Sequence, residues 1–143
     1  MYERILFPTD SPETTDSVLA HAVDLSEQYN AQLHVLYVVD STVFANDVET
    51  GVIVEEFESA GERIAKEATA RAREAGLEDV ESAVVHGHPS REILGYADDH
   101  DVDLIVMGTR GRTGLGRFLL GSVAEKIVRL SPVPVLTVRR PEE

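Results

Sequence analysis

The stretch V-M-G-T-R-G-R-T-G-L-G-R-F-L-L-G-S-V, from Val106 to Val123, decides the fold of this chain. It leaves a short apolar run, passes five glycines in fourteen residues and then enters a helical pattern of apolar residues. Glycines at that density cost backbone entropy and are typical of loops that bend sharply or approach a ligand closely. Phosphate suits such a loop, because amides at a helix N-terminus bind anions and because the loop adds positive charge at Arg110, Arg112 and Arg117.

Strand and helix patterns alternate along the rest of the chain. Apolar and β-branched runs predict strands at 4–8, 32–39, 80–86, 103–107 and 133–138, with the first strand ending at Pro8. Apolar residues at helical spacing predict helices at 11–29, 52–75, from Ser90 to the polar segment 98–101, and at 121–130, with Asn30 and Gly76 as helix stops. This β-α-β-α-β-α-β-α-β order predicts an α/β fold, a three-layer α/β/α sandwich on a five-stranded, predominantly parallel sheet. The length fits a single domain, 1–143.

Composition narrows the possible partners. The formal net charge of -13 disfavours nucleic acid and anionic membranes, because binding to polyanions needs a basic face. With eleven Arg and two Lys, the acidic surface suggests a halophile's cytoplasm as a hypothesis. The absence of cysteine excludes disulfides and thiol catalysis. The N-terminus lacks the pattern of a secretory signal and no apolar segment could span a bilayer, so a cytoplasmic location is expected.

The predicted sheet locates a candidate site. Ligands of such sheets bind beyond the carboxyl ends of the strands, where the strand order reverses. Three segments lie there, namely Thr9-Asp10-Ser11, Val39-Asp40 and the glycine loop. The loop contains neither the P-loop pattern nor G-x-G-x-x-G, which leaves the spacing Gly108-x2-Gly111-x9-Gly121-Ser122.

That spacing resembles G-x2-G-x9-G-[ST], the nucleotide-binding signature of the universal stress protein (UspA-like) family. The likeness extends through the opening I-L-F-P-T-D-S, the central G-x-P-x-x-x-I from Gly87 to Ile93, and the stretches G-S-V-A-E-K-I-V-R and S-P-V-P-V-L-T-V-R. It therefore covers essentially the whole chain. The resemblance implies a Rossmann-like, adenine nucleotide alpha hydrolase-like fold that binds ATP, or ADP or AMP.

The resemblance also implies roles for individual residues. Asp10 would lie beside adenine and ribose, within the segment Pro8, Thr9, Asp10 and Ser11. The backbone at Val38 and Val39 would contact the base, and Met107 and Gly108 would flank base and ribose. The phosphates would be surrounded by Arg110, Gly111, Gly121, Ser122 and Val123. Mg²⁺ or Mn²⁺ would bridge phosphate oxygens without an assigned protein ligand, and Ala124 stands where some nucleotide binders carry a second hydroxyl.

The family's usual homodimer pairs the final strands, here Val133–Val138. An apolar edge strand left bare is an aggregation liability, and pairing across a two-fold axis removes it. Three functions stay open at this point: an ATP-binding, homodimeric stress-response module, a weak ATPase or self-kinase that uses Ser122 or Thr109 as acceptor, and a nucleotide-free dimer. No catalytic constellation stands out, so the chain is not expected to be an enzyme.

Several side chains have simpler alternative roles. Asp10 and Ser122 could act only as helix caps. His86 and His88 form a pair without an evident third metal ligand. His34 is expected in the core or on a sheet face, whereas His21 and His100 are expected at the surface.

Overall fold

A computed structural model describes residues 1–9, 15–40, 50–109 and 121–139. Strands and helices alternate along these residues, with the bounds β1 Arg4–Thr9, α1 Thr15–Tyr29, β2 Gln32–Asp40, α2 Thr50–Glu74, β3 Val80–Gly87, α3 Pro89–Asp99, β4 Leu104–Gly108, α4 Ser122–Leu130 and β5 Val135–Val138. The helix stops are confirmed, because Asn30 has φ 53° and Gly76 has φ 110°, the left-handed conformation that ends helices. Within the described residues, no helix is both long and apolar enough to cross a bilayer.

The sheet has the strand order β3-β2-β1-β4-β5, and all four neighbouring pairs are parallel. The α/β prediction is therefore confirmed. From β1 the chain moves outward to β2 and β3, then crosses back to β4 and continues to β5 on the other side. The strand order consequently reverses between β1 and β4, which is where ligands bind in sheets of this kind.

Two apolar layers cover the sheet, because successive strand side chains point to opposite faces. One layer joins strand residues such as Ile5 and Val35 to buried residues of α1 and α2, among them Val18 and Ala68. The other joins strand residues such as Leu6 to buried residues of α3 and α4. The α/β/α sandwich is thus confirmed, with α1 and α2 on one face and α3 and α4 on the other.

Proline affected two element boundaries in ways that the sequence patterns did not predict. The prediction that Pro8 ends the first strand is wrong, because β1 continues to Thr9 and both residues pair with β2. A strand tolerates a proline wherever the missing N–H is not needed in its ladder. The third helix begins at Pro89 instead of Ser90, because the fixed φ of proline suits the first helical position.

The last strand is shorter than predicted and begins at Val135 instead of Val133. The hydroxyl of Ser131 donates to the carbonyl of Val133 at 2.7 Å and accepts from its N–H at 3.1 Å. Both backbone groups of Val133 are therefore engaged in a turn, and the sheet ladder starts only after Pro134.

The fourth strand begins at Leu104, because Asp103 ties the N-terminal ends of β1 and β4 together. Its carboxylate accepts the backbone N–H of Glu3 at 2.9 Å and that of Arg4 at 3.2 Å. The N–H of Asp103 in turn donates to the carbonyl of Arg4 at 2.9 Å. This clamp fixes the register of the two strands whose opposite ends border the candidate site.

Candidate functional site

The candidate site lies between the carboxyl ends of β1 and β4. Within the described residues, the two strands pair only at Ile5 with Leu104 and at Leu6 with Ile105, although β1 continues to Thr9 and β4 to Gly108. Pro8, which brings no N–H, lies in the part of β1 beyond this ladder. The sheet is thus left open to a ligand where its strand order reverses.

The end of β2 offers mainly backbone to this edge. Its ladder with β1 stops at Tyr37, whereas its ladder with β3 continues to Asp40. The side chain of Val38 packs in the layer of α3 and α4, and that of Val39 is buried with Tyr37 and Ile64. Because both valine side chains face the core layers, a base at this edge would meet backbone groups, as the family resemblance implies.

A glycine of α2 sets the distance between that helix and β2. A Cβ atom added to Gly61 would lie 2.5 Å from Cδ1 and 2.8 Å from Cε1 of the Tyr37 ring. Real Cβ atoms do not approach a ring so closely, so only glycine lets α2 pack at this distance. Sequence reasoning missed Gly61, although a lone glycine within a helical pattern often marks a packing requirement.

One residue, Thr109, connects the end of β4 to the start of α4. Its N–H donates to the carbonyl of Val138 at 3.0 Å, and its carbonyl accepts the N–H of Gly121 at 2.6 Å. This second hydrogen bond joins the two residues that flank the segment 110–120. This contact places the N-terminus of α4 beside Met107 and Gly108 at the carboxyl end of the sheet.

The N-terminus of α4 has no side-chain cap. Gly121 is the N-cap, with φ -63° and ψ 158°, and the first helical hydrogen bond runs from the N–H of Glu125 to its carbonyl at 2.9 Å. The amides of Ser122, Val123 and Ala124 consequently have no acceptor within the helix. Amides of this kind at a helix N-terminus, together with the helix dipole, are groups that favour an anion.

The structure shows how two side chains of this helix turn are placed. The alternative role of Ser122 as the N-cap is wrong, because Ser122 is the first helical residue and its side chain is exposed. A glycine N-cap tolerates the extended backbone angles of this position without offering a side-chain oxygen. Ala124 is buried with Ile127 in the layer of α3 and α4, so a hydroxyl at position 124 would face the core.

The structure thus brings together a part of the predicted site. The strand ends carry Pro8, Thr9, Val38, Val39, Met107 and Gly108, and the start of α4 carries Gly121, Ser122 and Val123. The remaining predicted residues lie outside the described residues, namely Asp10, Ser11, Arg110 and Gly111. The roles of all these residues toward a ligand stay predictions.

The two histidines at the end of β3 take different partners. His86 Nε2 lies 3.6 Å from Glu58 Oε2, and His88 Nδ1 lies 3.1 Å from Ser90 Oγ. In the part of the chain that the structure describes, no group of three His, Asp or Glu side chains is arranged to hold a metal ion. The described side chains therefore offer no metal centre of their own.

Comparison with known proteins agrees with this architecture. The model of the universal stress protein family matches residues 1–139. Universal stress protein MJ0531 of Methanocaldococcus jannaschii is 34% identical over 146 residues, covering 100% of this chain and 85% of the relative. The solved structure of MJ0577, from the same organism, superposes with a TM-score of 0.85 at 32% identity and covers 100% of this chain and 99% of that one. A universal stress protein solved in complex with cAMP is 27% identical, with a TM-score of 0.72 over 96% of this chain and 97% of its own. The chain belongs to the universal stress protein family.

Proposed function

We propose that this protein binds an adenine nucleotide, with ATP as the expected ligand, and acts as a stress-response module. The observation that carries the proposal is the hydrogen bond between Thr109 and Gly121. It holds three helix amides, which have no acceptor within their own helix, beside the strand ends at which the strand order reverses. The relative solved with cAMP supports a ligand that combines adenine with phosphate.

The proposed ligand spans two halves of the site. The phosphates would be bound by the amides of Ser122 and Val123, the Ser122 hydroxyl and the loop residues Arg110 and Gly111. A serine hydroxyl donates well to a phosphate oxygen, and the helix dipole favours the negative charge. The nucleoside would lie against Pro8, Thr9, Asp10, Ser11, the backbone of Val38 and Val39, Met107 and Gly108.

The residues fit a nucleotide that brings its own metal ion. Mg²⁺ and Mn²⁺ prefer oxygen ligands, which the phosphates would supply, and the exposed hydroxyl of Ser122 would lie beside them. Ala124 is buried and adds no oxygen. Ser122 is therefore the described side chain that would help to hold the ion, whose chemistry is the neutralisation of phosphate charge.

We also propose a homodimer formed through 133–138. β5 is an edge strand that pairs only with β4 among the described strands, and its Leu136 is 37% exposed. The neighbouring helix α4 exposes Val128 by 46% and Leu130 by 54%. A second copy related by a two-fold axis would pair the edge and cover these side chains.

Light scattering tests this homodimer and should give twice the chain mass. Leu136→Lys should shift the protein to the monomer, and a monomeric wild type would contradict the proposal.

Titration calorimetry with ATP and Mg²⁺ tests nucleotide binding. Ser122→Ala removes a hydrogen bond to a charged group, which is typically about 1.5–3 kcal/mol or roughly a tenfold to hundredfold loss of affinity. Ser82→Ala changes an exposed serine on β3 and should leave the affinity unchanged. Absence of ATP binding by the wild type would refute the proposal and leave the nucleotide-free dimer.

A second variant probes the helix start directly. Gly121→Val adds a side chain beside the phosphate position at backbone angles that any residue adopts. ATP binding should be lost while the thermal melting curve shows a folded protein, and an unaltered affinity would mean that the phosphates lie elsewhere.

Mass spectrometry of the nucleotide retained through purification distinguishes ATP, ADP and AMP. Phosphate release or self-phosphorylation above background that disappears in Ser122→Ala would favour the enzyme.

A further inference from the structure

A chain of hydrogen bonds links α3 to the sheet near the amino ends of the strands, opposite the candidate nucleotide site. Gln32 Nε2 donates to Asp79 Oδ1 at 2.9 Å. Gln32 Oε1 lies 2.7 Å from His34 Nε2, and Tyr96 Oη lies 2.8 Å from His34 Nδ1. These four side chains, called the relay below, join the start of β2 to the turn before β3 and to the C-terminal half of α3.

Donor and acceptor chemistry allows one direction for every bond of the relay. An ionised carboxylate only accepts, so the amide nitrogen of Gln32 faces Asp79 and its oxygen faces His34. That oxygen also only accepts, so His34 Nε2 carries the imidazole proton. Nδ1 of the neutral ring is then an acceptor, and Tyr96 donates its hydroxyl hydrogen to it.

His34 is buried at 2% exposure, and three charged residues influence it. Glu81 on β3 places Oε2 3.9 Å from Nδ1, Asp79 lies at the other end of the relay, and Arg4 is on the neighbouring strand β1. On α3, Tyr96 is stacked on His100 with the ring centres 3.8 Å apart, and the ring of His100 is 5.6 Å from that of His34.

These surroundings favour the neutral ring. Desolvation by burial is the largest influence and lowers the pKa of His34 from 6.5, while Glu81 and Asp79 raise it and His100 and Arg4 lower it. Burial and Glu81 also raise the pKa of Tyr96, so its hydroxyl keeps the hydrogen that it donates.

Protonation of His34 would break the order of the relay. The imidazolium has two donors and no acceptor, so Nδ1–H would have to donate to the Tyr96 oxygen, and the Tyr96 hydrogen would have to find another acceptor. The added charge would also be placed in a buried site beside His100. We propose that the relay is a proton-sensitive latch, which holds the C-terminal end of α3 on the sheet while His34 is neutral and releases it in acid.

The latch acts on both ends of α3, because α3 is a single helix of 11 residues. Its first residue, Pro89, follows two residues after the last residue of β3 at the ligand edge. At this end the first turn of α3 lies close to β3, since a Cβ added at Gly87, where φ is +145°, would lie 2.8 Å from the side chain of Glu92. Release of one end of α3 would therefore leave it attached near the candidate nucleotide site.

The sign of the pH effect follows from the lowered pKa. As pH falls through about 6.5 the unfolded chain takes up a proton before the native protein does, so stability is complete above this pH and is lost below it. The loss stops below the native pKa of His34. Within this window the latch contributes a change of up to about tenfold in the unfolding constant for each pH unit.

Urea unfolding between pH 4.5 and 8 tests the latch with three proteins. The wild type and His21→Gln should share the pH dependence, because His21 is exposed on α1 and its Nδ1 lies 2.9 Å from the Ser17 carbonyl of the same helix. His34→Gln should lack the part of this pH dependence that His34 contributes, namely the loss of stability as pH falls below about 6.5. Carboxylate titrations common to all three proteins cancel in the comparison. Parallel curves for all three would overturn the proposal.

Two further measurements keep the test decisive if His34→Gln does not fold. Nitrogen-15 NMR should find the Nε2–H tautomer and a native pKa below 6.5, and Tyr96→Phe should raise that pKa because the neutral ring loses its donor. Amide exchange, corrected for intrinsic rates, should show that Ala97 to His100 lose protection as His34 titrates. A pKa of His34 at or above 6.5, or protection that stays constant through the titration, would show that there is no latch.

Discussion

Two glycines inside helices provide a matched test of how closely α2 packs on the sheet. A Cβ at Gly95 in α3 would meet nothing within 4 Å, whereas a Cβ at Gly61 in α2 would lie 2.5 Å and 2.8 Å from two ring carbons of Tyr37. Replacing either glycine with alanine improves the helix propensity by the same amount, about 1 kcal/mol. The two variants therefore differ mainly in the contact with the ring.

The cost at Gly61 follows from the position of that ring. Tyr37 is 2% exposed and packs with Val39 and Ile64, so the ring has little space into which it could move. Overpacking of this kind costs about 1–3 kcal/mol. We expect Gly95→Ala to stabilise the protein by about 1 kcal/mol, and Gly61→Ala to change its stability by between roughly 0 and -2 kcal/mol.

Guanidinium unfolding measures the difference, which should be about 1–3 kcal/mol because the propensity gains cancel. A Tyr37→Leu background removes the ring, and in that background Gly61→Ala should stabilise as Gly95→Ala does. If Gly61→Ala in the wild-type background were as stabilising as Gly95→Ala, α2 would not lie at the distance described. That result would refute the reasoning about how closely α2 packs on Tyr37.

Three other perturbations have defined outcomes. Asp103→Ala leaves the N–H groups of Glu3 and Arg4 without the carboxylate and should cost about 1–3 kcal/mol in urea unfolding, whereas Asp98→Ala at an exposed site on α3 should have little effect. Ile127 is fully buried, so Ile127→Ala should lower the free energy of unfolding by about 2–5 kcal/mol and Ile127→Val by about 0.5–1.5 kcal/mol. A loss for alanine below about 2 kcal/mol would mean that α4 is not docked on the sheet. The melting temperature should rise from millimolar to molar potassium chloride, because salt screens the repulsion within a chain of net charge -13. A constant melting temperature would end the halophile hypothesis.

Periodicity predicted the order of the elements well, because the buried strands and the amphipathic helices carry different repeats. The helix stops at Asn30 and Gly76 were also predictable, since both residues tolerate a positive φ. The predicted bounds of strands and helices were wrong where a single contact determines where the element begins or ends. The pattern could not tell whether the missing N–H of Pro8 mattered to a ladder, nor that the Ser131 hydroxyl would engage Val133.

The site was predictable only as far as its motif extends. Glycine spacing pointed to the loop and to the start of α4, but the roles of Gly121 and Ser122 at the helix start depend on backbone angles. The contact of Gly61 with Tyr37 and the bond of His34 to Tyr96 join residues far apart in sequence. Sequence features that could have drawn attention to these two contacts were a glycine within a helical repeat and a histidine within an apolar strand.

The hydrogen bond between Thr109 and Gly121 also has a meaning for how this fold can diversify. It joins the two residues that flank the segment from 110 to 120, so the positions where this segment begins and ends are fixed. Closure entropy between two fixed points grows slowly with chain length, by about 0.6 kcal/mol for each doubling. Descendants of this chain could therefore differ in the sequence and length of this segment while the strands and the final helix stay in place.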